Sequence, residues 1–198
     1  MTKLPILLLL FLLFSTLVMA TVDWSGHSWN SSKANGIHAG FTSQNEFMVR
    51  GIATASFWNS FGKLSKPLDK RSAQVDIALA DTPASATSAG IWFVKDSQNA
   101  LIVEKHRDIT DPHYHTNLFI VERVNGTDSF KYVSTDAPSS GYDTFKIQKI
   151  LGGYQVYYNG ALTYTGTLNL SQHTTLELVS VARAAGDTLQ ATFQNYVE

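Results

Sequence analysis

The residues best suited to chemistry lie in one short run. Glu104-Lys105-His106-Arg107-Asp108 is followed by Ile109-Thr110-Asp111-Pro112 and then by His113-Tyr114-His115. A hairpin closed by the Arg107 to Pro112 loop, with His106 opposite His113, places Glu104 opposite His115 and turns all four side chains to one face, because directly paired residues share a side. Ile102 and Asn117 extend that row, while Leu101, Val103, Lys105 and Leu118 take the other face. A slip of one residue would send the polar groups of the two strands to opposite faces. Together with Asn117 and Arg123, such a cluster offers hydrogen bonds to a ligand in a cleft. Three histidines and a carboxylate also form a zinc-type donor set, and Glu104 beside an imidazole is an acid-base pair. The alternative without function is a polar sheet edge beside a solvated loop.

Flat side chains give the second signal. Trp58 falls in the loop-like stretch Phe57-Trp58-Asn59-Ser60, and Trp92 lies between Ile91 and Phe93. If Ile91 and Phe93 enter a core, Trp92 must point away from it. Both indoles are therefore candidate stacking platforms for a ligand. Trp24, Trp29 and most tyrosines read more simply as core. Asp108 and Asp111 could serve Ca2+, but two carboxylates do not make a calcium site. Glu122, between Val121 and Arg123, reads as one half of an ion pair at the sheet rim. The sequence contains no Gly-x-Ser-x-Gly elbow, phosphate-binding glycine loop or dinucleotide fingerprint.

These residues must be positioned by strands. From Phe47 onward, hydrophobicity alternates with a period near two and is broken by Gly, Pro, Asn, Asp and Ser clusters. Expected strands are Phe47 to Ser56, Ser72 to Ala80, Ala89 to Lys95, Ala100 to Arg107, His113 to Val124, Phe130 to Ser134, Asp143 to Ile150, Gly153 to Tyr158, Ala161 to Thr165, Thr174 to Ala184 and Thr188 to Val197. Asn159-Gly160 and Asn125-Gly126 carry the dipeptide that tight hairpin turns favour, and Leu151-Gly152-Gly153 marks a third turn. The stretch before Phe47 reads as loop-rich, with one or two edge strands at best. So many strands require two stacked layers, and the fold expected is all-β, a two-sheet antiparallel jelly-roll β-sandwich. In the last strands Leu176, Leu178, Ser180 and Ala182 form an inward row that Leu189, Ala191, Phe193 and Val197 continue.

The chain has 198 residues, a formal net charge of -1 and no cysteine. The absence of cysteine excludes disulfides, thiolate metal sites and cysteine nucleophiles. Near-neutral charge without a basic run argues against nucleic acid as a partner. Met1 to Ala20, with Lys3 ahead of an apolar run, reads as a signal peptide, leaving residues 21–198 as one secreted, extracellular domain without an integral membrane span. Sequons at Asn30, Asn125 and Asn169 are permissive for export, although Asn125 is better explained by its turn.

Two segments carry a family resemblance. Val22-Asp23-Trp24-Ser25-Gly26-His27-Ser28-Trp29 resembles the opening strand of laminarinase and endoglucanase domains. Tyr154-Gln155-Val156-Tyr157-Tyr158-Asn159-Gly160 and Leu189-Gln190-Ala191-Thr192-Phe193-Gln194-Asn195-Tyr196-Val197 resemble the closing strands of laminin-G-like domains. The chain thus resembles the concanavalin A-like lectin and glucanase superfamily. The resemblance implies binding of extracellular carbohydrate on a concave sheet. The glucanases' paired carboxylates on one strand, of Glu-x-Asp-x-x-Glu type, are matched in Gln74-Val75-Asp76-Ile77 only by Asp76, and retaining hydrolysis needs two carboxyl groups. A glycoside hydrolase or polysaccharide lyase using Glu104 with His106, His113 or His115 remains an alternative, as does a non-catalytic structural or adhesive surface domain.

Overall fold

The computed structural model describes residues 24, 28–56, 58–80, 85–108, 117–134, 141–170 and 174–198. The expected leader over Met1 to Ala20 lies outside them. Among the described residues there are fourteen strands and no helix: β1 Asn30–Ala34, β2 Ile37–Ser43, β3 Glu46–Ile52, β4 Ser60–Pro67, β5 Ser72–Leu79, β6 Ala86–Asp96, β7 Asn99–Asp108, β8 Asn117–Val124, β9 Thr127–Val133, β10 Asp143–Ile150, β11 Gly153–Tyr158, β12 Ala161–Gly166, β13 Thr175–Ala182 and β14 Thr188–Val197. They form two seven-stranded sheets, in the orders β1-β4-β13-β6-β7-β8-β9 and β12-β11-β10-β5-β14-β3-β2. Neighbouring strands pair antiparallel throughout, as in β6 with β7 and β7 with β8. The result is the jelly-roll sandwich that the alternating pattern predicts.

Alternation accounts for the core. Ala73, Val75, Ile77 and Leu79 of β5 are buried while the residues between them are not. They pack with Phe145 and Ile147 of β10 and, from the facing sheet, Ile91, Phe93, Leu101, Val103 and Ile120. Burial of each large apolar side chain contributes about 1.5–3 kcal/mol. Polar links join the two sheets at the margins of this core. Lys105 on β7 meets Asp143 on β10 at 2.5 Å with both side chains buried. The Tyr154 hydroxyl on β11 donates to Glu122 on β8 at 2.8 Å, and Lys66 on β4 reaches Glu198 at 2.6 Å.

Turn geometry follows the dipeptides. Asn125 and Gly126, and Asn159 and Gly160, all have positive φ, the conformation of a type I′ hairpin turn. The inward row at the C-terminal end of the chain needs one correction. Leu189, Ala191 and Phe193 are buried, but Val197 is 49% exposed and Tyr196 takes the interior position. The ladder between β14 and β5 shifts register between Gln194 and Val197, and Asn195 adopts φ 54°. One irregular residue inverts the alternation beyond it.

Candidate functional site

β6, β7 and β8 are adjacent, and their register builds a grid. Ser88 pairs with His106, Gly90 with Glu104, Trp92 with Ile102 and Val94 with Ala100. Across the next ladder His106 pairs with Asn117, Glu104 with Phe119, Ile102 with Val121 and Ala100 with Arg123. Ile91, Phe93, Leu101, Val103, Leu118 and Ile120 belong to the core, so the grid residues between them lie on the face turned away from it. That outer face has an apolar floor of its own. Ala100, Ile102, Phe119 and Val121 are buried there, with Trp92 and Val94 packed against them.

An aromatic row crosses the same face. His106 stacks on Phe119 with centroids 4.7 Å apart and planes 29° apart, and Trp58 approaches His106 at 5.5 Å. Phe119 meets Phe130 of β9 edge to face at 5.5 Å, and Phe130 is exposed. Trp58 reaches this position with φ 61°, a left-handed conformation that bulky residues rarely adopt, while its backbone N–H donates to the Arg183 carbonyl at 3.3 Å.

Glu104 sits at the centre. The Ser88 hydroxyl donates to its carboxylate at 3.2 Å. Burial pushes its carboxyl from an ordinary 4.5 up to about 7, against the opposing pull of Ser88, Trp92 and Arg123. The Trp92 indole stands close enough to favour the ionised carboxylate, yet the geometry completes no hydrogen bond and leaves Nε1 buried without a partner. Such a donor calls for an acceptor. Gly90 makes the arrangement possible, since a Cβ there would lie 2.6 Å from the Glu104 Cβ and 2.4 Å from the Val103 carbonyl oxygen.

Three other carboxylates of this face, among the described residues, are engaged. Arg183 holds Asp108 in an ion pair, Lys63 holds Glu177 at 2.7 Å, and Arg123 clasps Asp128 through Nε at 2.7 Å and Nη2 at 2.9 Å. Of the two carboxylates that could serve Ca2+, Asp108 is ion-paired with Arg183 and Asp111 lies outside the described residues. Among the described residues no three His, Asp or Glu side chains group as metal ligands.

Of the residues singled out in the sequence, Trp92, Glu104, His106 and Arg123 share this face, Trp58 stands against His106, and Asn117 pairs opposite His106. The expected pairing of His106 with His113 and Glu104 with His115 is incorrect: the partners are Asn117 and Phe119, so the connection is four residues longer than expected. His113 and His115 lie outside the described residues. A shift of four preserves side-chain parity, which is why Asn117 and Arg123 of β8 still share the face of Glu104 and His106. Phe119, Phe130, Ser88 and Gly90 were missed. Phe119 is two residues from Asn117, so alternation alone would have placed it on this face. Asp76 belongs to the other sheet, where Thr144 donates to it at 2.6 Å and Asn195 at 2.8 Å. Glu122 is paired, as expected, accepting from Tyr154 and lying 3.3 Å from Lys131.

This two-layer jelly roll is shared with solved structures that include a glucanase and a carbohydrate-binding module. The Bacillus licheniformis beta-glucanase superposes with a TM-score of 0.59 at 13% identity, over 85% of this chain and 89% of that one. The carbohydrate-binding module CBM66 from Bacillus subtilis superposes with a TM-score of 0.56 at 14% identity, over 89% and 95%. A functionally unknown protein from Saccharomyces cerevisiae gives 0.66 at 13% identity, over 85% and 94%. At these identities the likeness is one of fold. Neither a protein-family profile nor the sequence of a curated protein matches the chain.

Proposed function

We propose that the chain is a secreted carbohydrate-binding domain and that the outer face of β6, β7 and β8 takes a neutral glycan. The observation that carries this reading is the convergence of Trp58, Trp92, His106, Phe119 and Phe130 around Glu104 and the unpartnered Trp92 N–H. Flat rings pack against the C–H faces of pyranoses. A carboxyl near its midpoint at neutral pH accepts or donates a hydrogen bond to a sugar hydroxyl. The Trp92 N–H offers a further donor. A carbohydrate-binding module and a glucanase sharing the fold support the ligand class, and the leader pattern of Met1 to Ala20 supports export.

Hydrolysis is the second reading, favoured by one observation: Glu104 is held near 7, in the range of a general acid. Retaining catalysis requires a second carboxyl group about 5–5.5 Å away. Asp128, the carboxylate whose charge acts on Glu104, is clasped by Arg123; Asp108, four residues along the same strand, has its Cα about 13 Å from that of Glu104 by strand geometry and is ion-paired with Arg183. Binding without turnover is therefore the better reading. Calorimetric titration with mixed-linkage and 1,3-β-glucan oligosaccharides, alongside a reducing-end assay on the same polymers, separates the two. Saturable binding without new reducing ends is expected. Turnover abolished in Glu104→Gln would replace the binding reading with the enzymatic one.

A further inference from the structure

A second cleft lies away from the aromatic face. It has a volume of about 1040 Å3, and its walls include Leu68, Arg71, Lys149, Leu151, Thr167 and Thr174. It lies where the turn between β4 and β5, the β10–β11 hairpin and the segment after β12 come together.

The charge in this cleft is unbalanced. Gln148 pairs with Ser72 in the β10–β5 ladder, and the Lys149 N–H donates to the Arg71 carbonyl at 2.7 Å, so the two cations are cross-strand neighbours. Like charges at directly opposed positions are destabilising. Lys149 is half-buried, its Nζ donates to the Thr174 hydroxyl at 2.9 Å and lies 5.9 Å from the Phe93 ring centroid. The other charged wall residues do not neutralise the pair. Asp69 meets Lys66 at 3.0 Å, and Lys70 donates to the Glu198 main-chain oxygen at 3.1 Å. Neither Arg71 nor Lys149 has a carboxylate partner among the described residues. Burial without a counter-ion also holds the Lys149 ammonium below its ordinary range. Leu151 stands fully exposed on the wall beside this charge, an apolar contact for a ring or chain.

We propose that this cleft is a ligand site for the oxyanion of an acidic sugar, a carboxylate or sulfate held between Lys149 and Arg71, with the Leu151 side chain against the sugar ring. An anion placed there relieves the repulsion between the opposed cations and supplies the counter-charge that Lys149 lacks. The dimensions suit a short oligosaccharide, since ligand clefts span about 300–1,000 Å3. This site is separate from the neutral-glycan face, and the two can be tested independently.

The test is an NMR titration of the full chain with trigalacturonate, with a sulfated galactan trisaccharide and with inorganic sulfate, at low and high salt. One or both oligosaccharides are expected to shift the amides of Arg71, Gly152 and Gly153, with affinity falling as salt rises, and the probe that binds identifies the oxyanion. Lys149→Met is expected to weaken binding about tenfold or more, and Lys149→Arg to retain it. Arg71 is exposed, so Arg71→Gln carries the test even if Lys149→Met does not fold. Binding of neither oligosaccharide, binding unchanged in Arg71→Gln, or inorganic sulfate binding as tightly as the oligosaccharides would overturn the proposal.

Discussion

Replacing Glu104 by glutamine should make the protein's stability less sensitive to pH, and the size of the effect follows from where the carboxyl sits. An unfolded chain releases the proton near 4.5, whereas burial delays release in the folded state to about 7. Between those values the folded state binds more protons than the unfolded state, so stability falls as pH rises. The contribution of the protonated carboxyl is fully present below the unfolded value and is lost as pH passes through about 7. The displacement corresponds to about 3 kcal/mol, at 1.36 kcal/mol per pKa unit. The substituted carboxamide occupies nearly the same volume, can still accept from Ser88 and does not titrate. Urea unfolding of both proteins at about pH 4 and about pH 8 isolates the effect, because every other titrating group is common to the two. The wild type should lose about 3 kcal/mol relative to Glu104→Gln across that interval. Parallel profiles, or a wild type that gains on the variant as pH rises, would refute the reasoning.

Further expectations concern the scaffold beneath the face. Gly90→Ala should destabilise the fold by about 1–3 kcal/mol, because the new methyl meets the Val103 carbonyl and the Glu104 Cβ inside contact distance; thermal unfolding reads this directly, and an unchanged midpoint would contradict it. Asp143→Ala should cost about 3–5 kcal/mol by leaving the buried Lys105 ammonium without its carboxylate. Adding Lys105→Met should recover much of that loss, which a double-mutant cycle in urea would show. Tyr154→Phe should cost about 1–2 kcal/mol through loss of the hydrogen bond to buried Glu122, measured in the same way.

The sequence was most legible where side-chain type and turn chemistry agree. Asp143–Ile150, Gly153–Tyr158 and Thr188–Val197 have the expected bounds because apolar alternation stops at turn residues, the Gly152-Gly153 and Asn159-Gly160 turns around the first two and Gly186-Asp187 ahead of the third. β4 was not expected, since its buried positions are Ser60, Gly62, Leu64 and Lys66, a row with a single aliphatic side chain. Lys66 is tolerated there because Glu198, distant in sequence, and Asp69, three residues on, supply its charge partners. β1 and β2 are the edge strands that the loop-rich N-terminal stretch allowed. At the candidate site, parity was readable and partners were not. The alternation of Leu101, Val103 and Lys105 with Ile102, Glu104 and His106 fixes which face each takes. The length of the connection after Asp108 decides which residue stands opposite, and nothing in the polar run from His106 to His115 encodes that length. Trp58 is a candidate from its loop alone, but its contact with His106 depends on a backbone conformation that composition does not reveal.

The neutral-glycan face is tested most directly by titrating the wild type and Trp92→Ala with mixed-linkage glucan oligosaccharides while amide chemical shifts are followed. Shifts confined to Gly90, Trp92, Ile102, Glu104 and Val121 in the wild type are expected, with affinity about tenfold weaker in the variant as the stacking surface and the indole N–H are removed. Binding that leaves those amides unmoved, or that is as tight in Trp92→Ala as in the wild type, would contradict the assignment of this face.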